Sequence, residues 1–256
     1  MTLTAVARAM LLALAVGAGA ALAAESPIVP AGKSDKGYAT GDMVLGRSDA
    51  PLTLIEYASM TCPHCAQFHA EDLPTLKSGY IDTGKLRVVF REFPLDGFAL
   101  RGAMLARCAG PERFFSFVDV LFKSQRAWAA KPKDGADPLS ELQKLAKLGG
   151  IGEEQFKSCM ADQALADEIT ARRLDGEKIH QIRATPGFVL NGKTLEGTRP
   201  IDAVVAALGG APGAAAPAAA PADRTMYWIA GGVAVLIVLA GGAFWWSRRD
   251  RGAKRA

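Results

Sequence analysis

Two long apolar stretches, one near each end of the chain, flank a middle part in which apolar and polar residues follow the patterns of strands and helices. Residues 1–24 contain Arg8 followed by an apolar run from Ala9 to Ala24. This layout predicts a secretory signal peptide with a small-residue cleavage site near Ala23 or Ala24. An uncleaved N-terminal anchor is the alternative. Both interpretations predict that the middle of the chain is exported.

The second uncharged stretch, residues 226–246, has aromatic residues at both edges and a tail rich in arginine and lysine at 247–256. At about 1.5 Å per residue it is long enough to cross a hydrocarbon core of about 30 Å. The basic tail predicts a cytoplasmic C-terminus. Residues 209–225, rich in Ala, Pro and Gly, predict a tether. We therefore expect a single-pass inner-membrane protein whose folded domain faces the periplasm.

In the middle of the chain, a β-favouring apolar run at residues 52–57 predicts a central strand. A helix is predicted to begin at Cys62 and to end in a turn at 79–84, and residues 86–90 predict a second strand. The order strand, helix, strand predicts parallel strands joined by a right-handed crossover.

Helical periodicity then replaces the strand pattern from about residue 97 to 180. Further on, two strands flank Asn191-Gly192, a dipeptide favoured in two-residue hairpin turns, and Pro200 opens a final helix. The predicted helices are 98–109, 112–124, 138–148, 152–161, 164–180 and 200–208, and the predicted hairpin strands are 188–190 and 194–196. The pattern predicts one α/β domain over about 40–208, with an all-helical insertion at about 97–180.

The formal net charge is +4, part of which comes from the basic tail. No basic cluster with interleaved aromatic residues occurs in the predicted domain. Such clusters are the usual mark of a nucleic-acid-binding surface. We therefore expect no nucleic-acid partner.

Four cysteines remain in a chain that we expect to be exported, where disulfides persist. A bridge between Cys62 and Cys65 would close almost no loop and so would stabilise little, which indicates a chemical or metal-binding role. Cys108 and Cys159 are predicted to form a structural disulfide that clips the helical insertion across roughly fifty residues. Two separate buried thiols are the alternative.

The Cys62-Pro63-His64-Cys65 motif follows a strand and opens a helix, so unpaired N–H groups and the helix dipole favour a thiolate at Cys62. Cys62 is the predicted nucleophile, and Cys65, one turn later, resolves a mixed disulfide. His64 can further stabilise the thiolate. Haem attachment is excluded because residue 66 is alanine. A structural zinc site would need a second close pair of ligands.

With Glu56 in the strand and Thr185-Pro186-Gly187-Phe188 after the insertion, residues 40–208 resemble the DsbA-type branch of the thioredoxin superfamily. The resemblance implies a thioredoxin fold in which Thr185–Pro186 is a cis peptide that lies against the cysteines and pairs with an extended substrate. It also implies that Glu56 lies beneath the active site and assists proton transfer. A trans turn proline and a solvent-facing Glu56 are the alternatives.

The resemblance predicts an extracytoplasmic enzyme that oxidises paired thiols of exported proteins through the Cys62–Cys65 disulfide, without an organic cofactor. A DsbB-like membrane oxidase is the expected partner for reoxidation. Thr185 is more typical of isomerase and reductase relatives, which remain the alternative direction of electron flow. A non-enzymatic module that binds metals through its exposed thiols is the alternative from another class.

Overall fold

The computed structural model of the protein describes residues 27–129, 138–197 and 199–209. The predicted signal peptide at 1–24, the linker beyond residue 209, the membrane span at 226–246 and the basic tail lie outside these residues. Within the described ranges, no helix is both long enough and apolar enough to cross a membrane.

A five-stranded sheet in the order β3-β5-β4-β6-β7 forms the centre of the fold. Its central strand, β4, pairs in parallel with β5 and antiparallel with β6. A separate short sheet is made of β1 and β2. The strands are β1 Gly32–Lys33, β2 Ala39–Thr40, β3 Met43–Leu45, β4 Leu52–Ala58, β5 Leu86–Glu92, β6 Gly187–Leu190 and β7 Lys193–Thr194.

Helices follow the predicted order, with α3 to α8 inserted between β5 and β6. They are α1 Pro63–Ala70, α2 Asp72–Leu76, a π-helix Lys77–Ile81, α3 Gly97–Cys108, α4 Phe114–Lys123, α5 Gln125–Trp128, α6 Pro138–Leu148, α7 Glu153–Met160, α8 Gln163–Ile179 and α9 Pro200–Ala207. The predicted α/β fold with an all-helical insertion is confirmed for the described part of the chain.

Two predicted boundaries were wrong. Residues 79–84 do not all form a turn, because the π-helix continues to Ile81 and keeps Tyr80 and Ile81 buried. The chain turns at residues 82–84, where Gly84 has a φ of 74°, in the left-handed region that glycine adopts without strain. The predicted strand at 194–196 is also shorter, since β7 ends at Thr194.

Both faces of the sheet are covered, which explains why almost every position of β4 is buried. On one face, Phe90 joins the core formed with the insertion helices. On the other face, Ile55, Tyr57 and Val89 pack with Ile182 in a smaller cluster. A side chain at position 176 in α8 would come within 2.6 Å of the Tyr57 ring, so glycine at this position lets the helix approach the sheet.

The insertion is fixed internally by a disulfide between Cys108 at the end of α3 and Cys159 in α7, 51 residues apart. It is fixed to the sheet by Arg107, which is fully buried and binds both carboxylate oxygens of Glu92 at 2.6 and 2.8 Å. Arg107 also donates to the carbonyl oxygen of Gly41 at 2.8 Å. One arginine therefore connects α3, β5 and the segment between β2 and β3.

Candidate active site

The end of β4 delivers the chain to the N-terminus of α1. Cys62 is the N-cap of this helix, with extended backbone angles of φ −79° and ψ 119°, and Pro63 occupies the first turn. Proline is well suited there because its missing N–H would have no partner within the helix and its fixed φ suits the first turn. The Cys62 sulfur therefore lies where the N–H groups of the first turn point outward.

The two cysteines have opposite acidities. The pKa of Cys62 is lowered to about 5, mainly because the Cys65 side chain hydrogen-bonds to its sulfur. The Thr185 side chain and the backbone N–H groups of Cys65 and His64 add to this effect, whereas burial opposes it. The pKa of Cys65 is raised, first by burial and then by the adjacent Cys62 and the charge of Glu56. Cys62 is therefore the thiolate at neutral pH, and Cys65 keeps its proton.

The segment before β6 closes the site from the other side. Thr185–Pro186 is a cis peptide, and the Thr185 carbonyl oxygen lies 3.2 Å from the Cys62 sulfur. This approach follows from the sheet, since β6 pairs with β4 and places Gly187 opposite Tyr57. Cys62 and Cys65 are both in the free form. The structure therefore describes the reduced state of the pair.

Glu56 lies in β4 beneath the cysteines and is fully buried, so it does not face solvent. Its two carboxylate oxygens lie 3.1 and 3.0 Å from the same nitrogen, Nε2 of His69 in α1. Sequence analysis missed His69. The signal was available, because His69 follows Cys65 by four residues and such positions share one face of a helix.

The insertion contributes residues that hold the active-site turn. Gln125 is buried and donates its amide to the carbonyl oxygens of Met60 and Cys62, at 2.9 and 3.0 Å. On the opposite side, the Thr61 hydroxyl donates to Asp96 at 2.8 Å, and Asp96 caps α3 by accepting from the N–H of Ala99. No sequence pattern pointed to the contacts of Gln125 and Thr61, since their partners lie 35 or more positions away.

His64 and Pro63 are exposed at the edge of the site. His64 acts on the thiolate through its backbone N–H. A cleft of about 320 Å³ begins at Pro63 and continues along Phe122 to Gln125 and Arg126. Among the residues that the structure describes, no group of three or more His, Cys, Asp or Glu side chains could hold a metal ion.

Comparisons with known proteins agree with this geometry. A family model described as thioredoxin matches residues 39–209. A curated protein of Rickettsia bellii named "Putative protein-disulfide oxidoreductase" is 36% identical over 156 residues, which are 60% of this chain and 59% of that protein. The matched segment thus spans less than two thirds of that relative's length.

Solved structures extend the similarity. Alpha-DsbA1 of Wolbachia pipientis is 33% identical with a TM-score of 0.59, and the match covers 66% of this chain and 89% of that one. A protein-disulfide isomerase from Novosphingobium aromaticivorans is 25% identical with a TM-score of 0.61, covering 65% and 97% respectively. The similarity covers the domain that carries Cys62, Cys65 and Pro186.

Proposed function

The chain belongs to the DsbA branch of the thioredoxin superfamily, and on that premise we propose that it oxidises paired thiols of exported proteins through a Cys62–Cys65 disulfide. The observation that carries this direction is the pKa of Cys62, lowered to about 5. A stable thiolate favours the reduced enzyme, so the disulfide is readily given up to substrates.

The reaction proceeds by two exchanges. A substrate thiolate attacks the Cys62 sulfur, the Cys62–Cys65 bond breaks, and its electron pair goes to Cys65, which takes up a proton. The second substrate thiolate then attacks the substrate sulfur of the mixed disulfide and releases Cys62 as a thiolate. The substrate gains one disulfide and loses two electrons, which the enzyme holds as its dithiol.

The surrounding residues have separate roles in this proposal. The Thr185–Pro186 segment, next to the Cys62 sulfur, pairs with the extended backbone of the substrate. Pro63 and His64 are exposed next to Cys62, and the His64 backbone N–H stabilises the thiolate. Glu56 exchanges a proton with the buried Cys65, whose raised pKa makes an unprotonated leaving group costly.

A redox titration of the detergent-solubilised full chain against glutathione tests the direction. We expect a potential far more oxidising than that of thioredoxin, which is about −270 mV. A value near thioredoxin's would contradict the oxidase function. Cys65→Ser should accumulate mixed disulfides with exported proteins, because the resolving thiol is missing.

An isomerase or reductase is the second candidate. Two observations favour it, namely Thr185 before the cis proline and the likeness to a structure described as a protein-disulfide isomerase. Refolding of scrambled ribonuclease separates the two functions, because an isomerase restores activity starting from wrong disulfides and an oxidase requires reduced ribonuclease. A metal-binding role would instead be revealed by stoichiometric zinc or copper in the purified protein, together with no thiol exchange.

The proposed location is the periplasmic face of the inner membrane. Supporting it are the signal-like layout of 1–24, the uncharged stretch at 226–246 and the basic tail. Protease added to intact spheroplasts should remove the domain, and its protection would overturn this topology.

The proposed electron acceptor is a DsbB-like membrane oxidase. If so, the enzyme should accumulate in the dithiol form when that class of oxidase is deleted from the host. Trapping the thiols with an alkylating reagent measures this. If the enzyme is fully oxidised in the deletion strain, a DsbB-like oxidase is not its electron acceptor.

A further inference from the structure

His69 and Glu56 form a buried pair of unusual geometry. A single imidazole nitrogen, Nε2, lies 3.1 and 3.0 Å from the two oxygens of one carboxylate. Carboxylate oxygens only accept hydrogen bonds, so one proton must lie between the two groups, on either the ring or the carboxyl group. The Glu56 side chain is 0% exposed and the His69 side chain 7%. His69 is therefore the member of the pair that reaches towards solvent.

The pair lies in an apolar environment. Ring centroids of Phe122, Phe68 and Phe90 are 4.5, 5.7 and 5.9 Å from that of His69. A net charge is costly in such surroundings, so gain or loss of a proton by the pair is coupled to any nearby charge.

The titratable groups around the pair come from few elements. In the described part of the chain, β4 provides Glu56 and α1 provides Cys65 and His69. The adjacent strand β5 provides Glu92, which is neutralised by Arg107 from α3. From α4 comes an aromatic ring, Phe122. Cys65 is therefore the group whose charge changes next to the pair during the reaction.

Resting on the proposed function, we propose that His69 positions Glu56 and supplies the proton that Glu56 passes to Cys65 when the disulfide opens. As the substrate thiolate bonds to Cys62, the Cys62–Cys65 bond breaks and its electron pair stays on Cys65. The proton that the pair shares passes from the His69 imidazolium to Glu56 and from Glu56 to Cys65, which leaves a neutral imidazole beside the Glu56 carboxylate. Reoxidation returns the Cys65 proton along the same path.

This mechanism explains why histidine stands at this position. Its unperturbed titration lies closest to neutral pH among side chains, so it can both give and recover a proton in one catalytic cycle. Arginine in the same place would hold Glu56 equally well but could not release a proton, as it stays charged in proteins. A purely structural partner for Glu56 would need no such property.

The test measures how fast oxidised full-length protein opens its disulfide with reduced glutathione, between about pH 4.5 and 8. Rates are divided by the glutathione thiolate concentration. For the wild type, we expect this corrected rate to fall as the pH rises, because fewer molecules then hold the proton that the pair supplies. His69→Gln, which retains an amide donor for Glu56, should be at least ~10-fold slower at low pH and independent of pH. Glu56→Gln should behave in the same way.

Gln67→Ala is the matched control, because Gln67 is exposed on the same helix and its side chain donates to Glu71, the C-cap of that helix. It should keep the wild-type profile. If His69→Gln also keeps that profile while Glu56→Gln loses it, Glu56 acts alone and the inference is wrong. A wild type that exchanges no thiols would instead remove the proposed function itself.

A measurement on the wild type covers the case in which the variants do not fold. The His69 ring titration, followed by nuclear magnetic resonance with labelled histidine, should differ between oxidised and reduced protein, because only reduced Cys65 holds the transferred proton. Identical titrations in the two redox states would overturn the proposal.

Discussion

Two buried carboxylates lie on adjacent strands of the same sheet, and their partners differ. Glu92 at the end of β5 is held at both oxygens by Arg107, and Glu56 in β4 by His69. Arginine cannot lose its proton in a protein, whereas histidine can. The first pair therefore has a fixed charge distribution and links two parts of the fold. The second can change its protonation beneath the cysteines.

The largest effect should come from removing one member of the fixed pair. Glu92→Leu leaves the buried Arg107 charged without its carboxylate, so the free energy of unfolding should fall by about 3–5 kcal/mol in urea denaturation. The double variant Glu92→Leu/Arg107→Met should recover most of this loss. Equal losses for the single and double variants would show that packing, not the stranded charge, sets the cost.

Glu56→Leu is the corresponding change in the second pair. It should lower the free energy of unfolding by about 1 kcal/mol, because the imidazole, unlike a guanidinium, can be neutral and only a hydrogen bond is lost. A loss as large as that of Glu92→Leu would abolish the distinction between the two pairs.

Removing the Cys108–Cys159 disulfide tests whether the Arg107–Glu92 ion pair alone stabilises the insertion. Replacing both Cys108 and Cys159 by serine should lower the free energy of unfolding by about 4 kcal/mol in the chain-entropy model, given their sequence separation of 51. The Cys62 pKa should stay near its wild-type value in absorbance titrations of the thiolate. A shift towards the ordinary thiol range would show that the disulfide also sets the active-site geometry.

The fourth effect concerns pH. Because Cys62 has a pKa of about 5 in the folded reduced protein and an ordinary value of roughly 8.5 when unfolded, the folded thiolate stabilises the reduced form by about 3 kcal/mol at pH 7. This stabilisation is complete above the unfolded pKa and is lost as the pH falls through about 5. Unfolding of reduced and oxidised protein, compared over this range, measures it. If the difference in the free energy of unfolding between reduced and oxidised protein does not decline in acid, the low pKa of Cys62 is wrong.

An effect as small as that of Glu56→Leu should come from an exposed carboxylate. Asp96 caps α3 and accepts from Thr61, so Asp96→Ala should cost about 1 kcal/mol of stability and loosen the active-site turn. Asp96→Asn should retain the cap. If the alanine and asparagine variants unfold at the same temperature, the cap makes no measurable contribution to stability.

Much of the fold could be predicted from local pattern. The central strand at 52–57, the helix that starts at Cys62 and the change to helical periodicity near residue 97 all agree with the described elements. The end of the π-helix was harder to place, because Gly79 resembles a turn residue in sequence. Burial of Tyr80 and Ile81 continues the helix past it.

The sequence by itself determined the chemistry of the motif, because a cysteine at a helix N-terminus and its partner one turn later are set by short-range geometry. Only the tertiary structure decided which buried groups meet. His69 pairs with Glu56 across 13 positions, Gln125 reaches Cys62 across 63, and Arg107 meets Glu92 across 15. Periodicity reports which face of an element is buried, but the packing of one element on another decides which side chains face each other there. The protonation of this site depends on that packing.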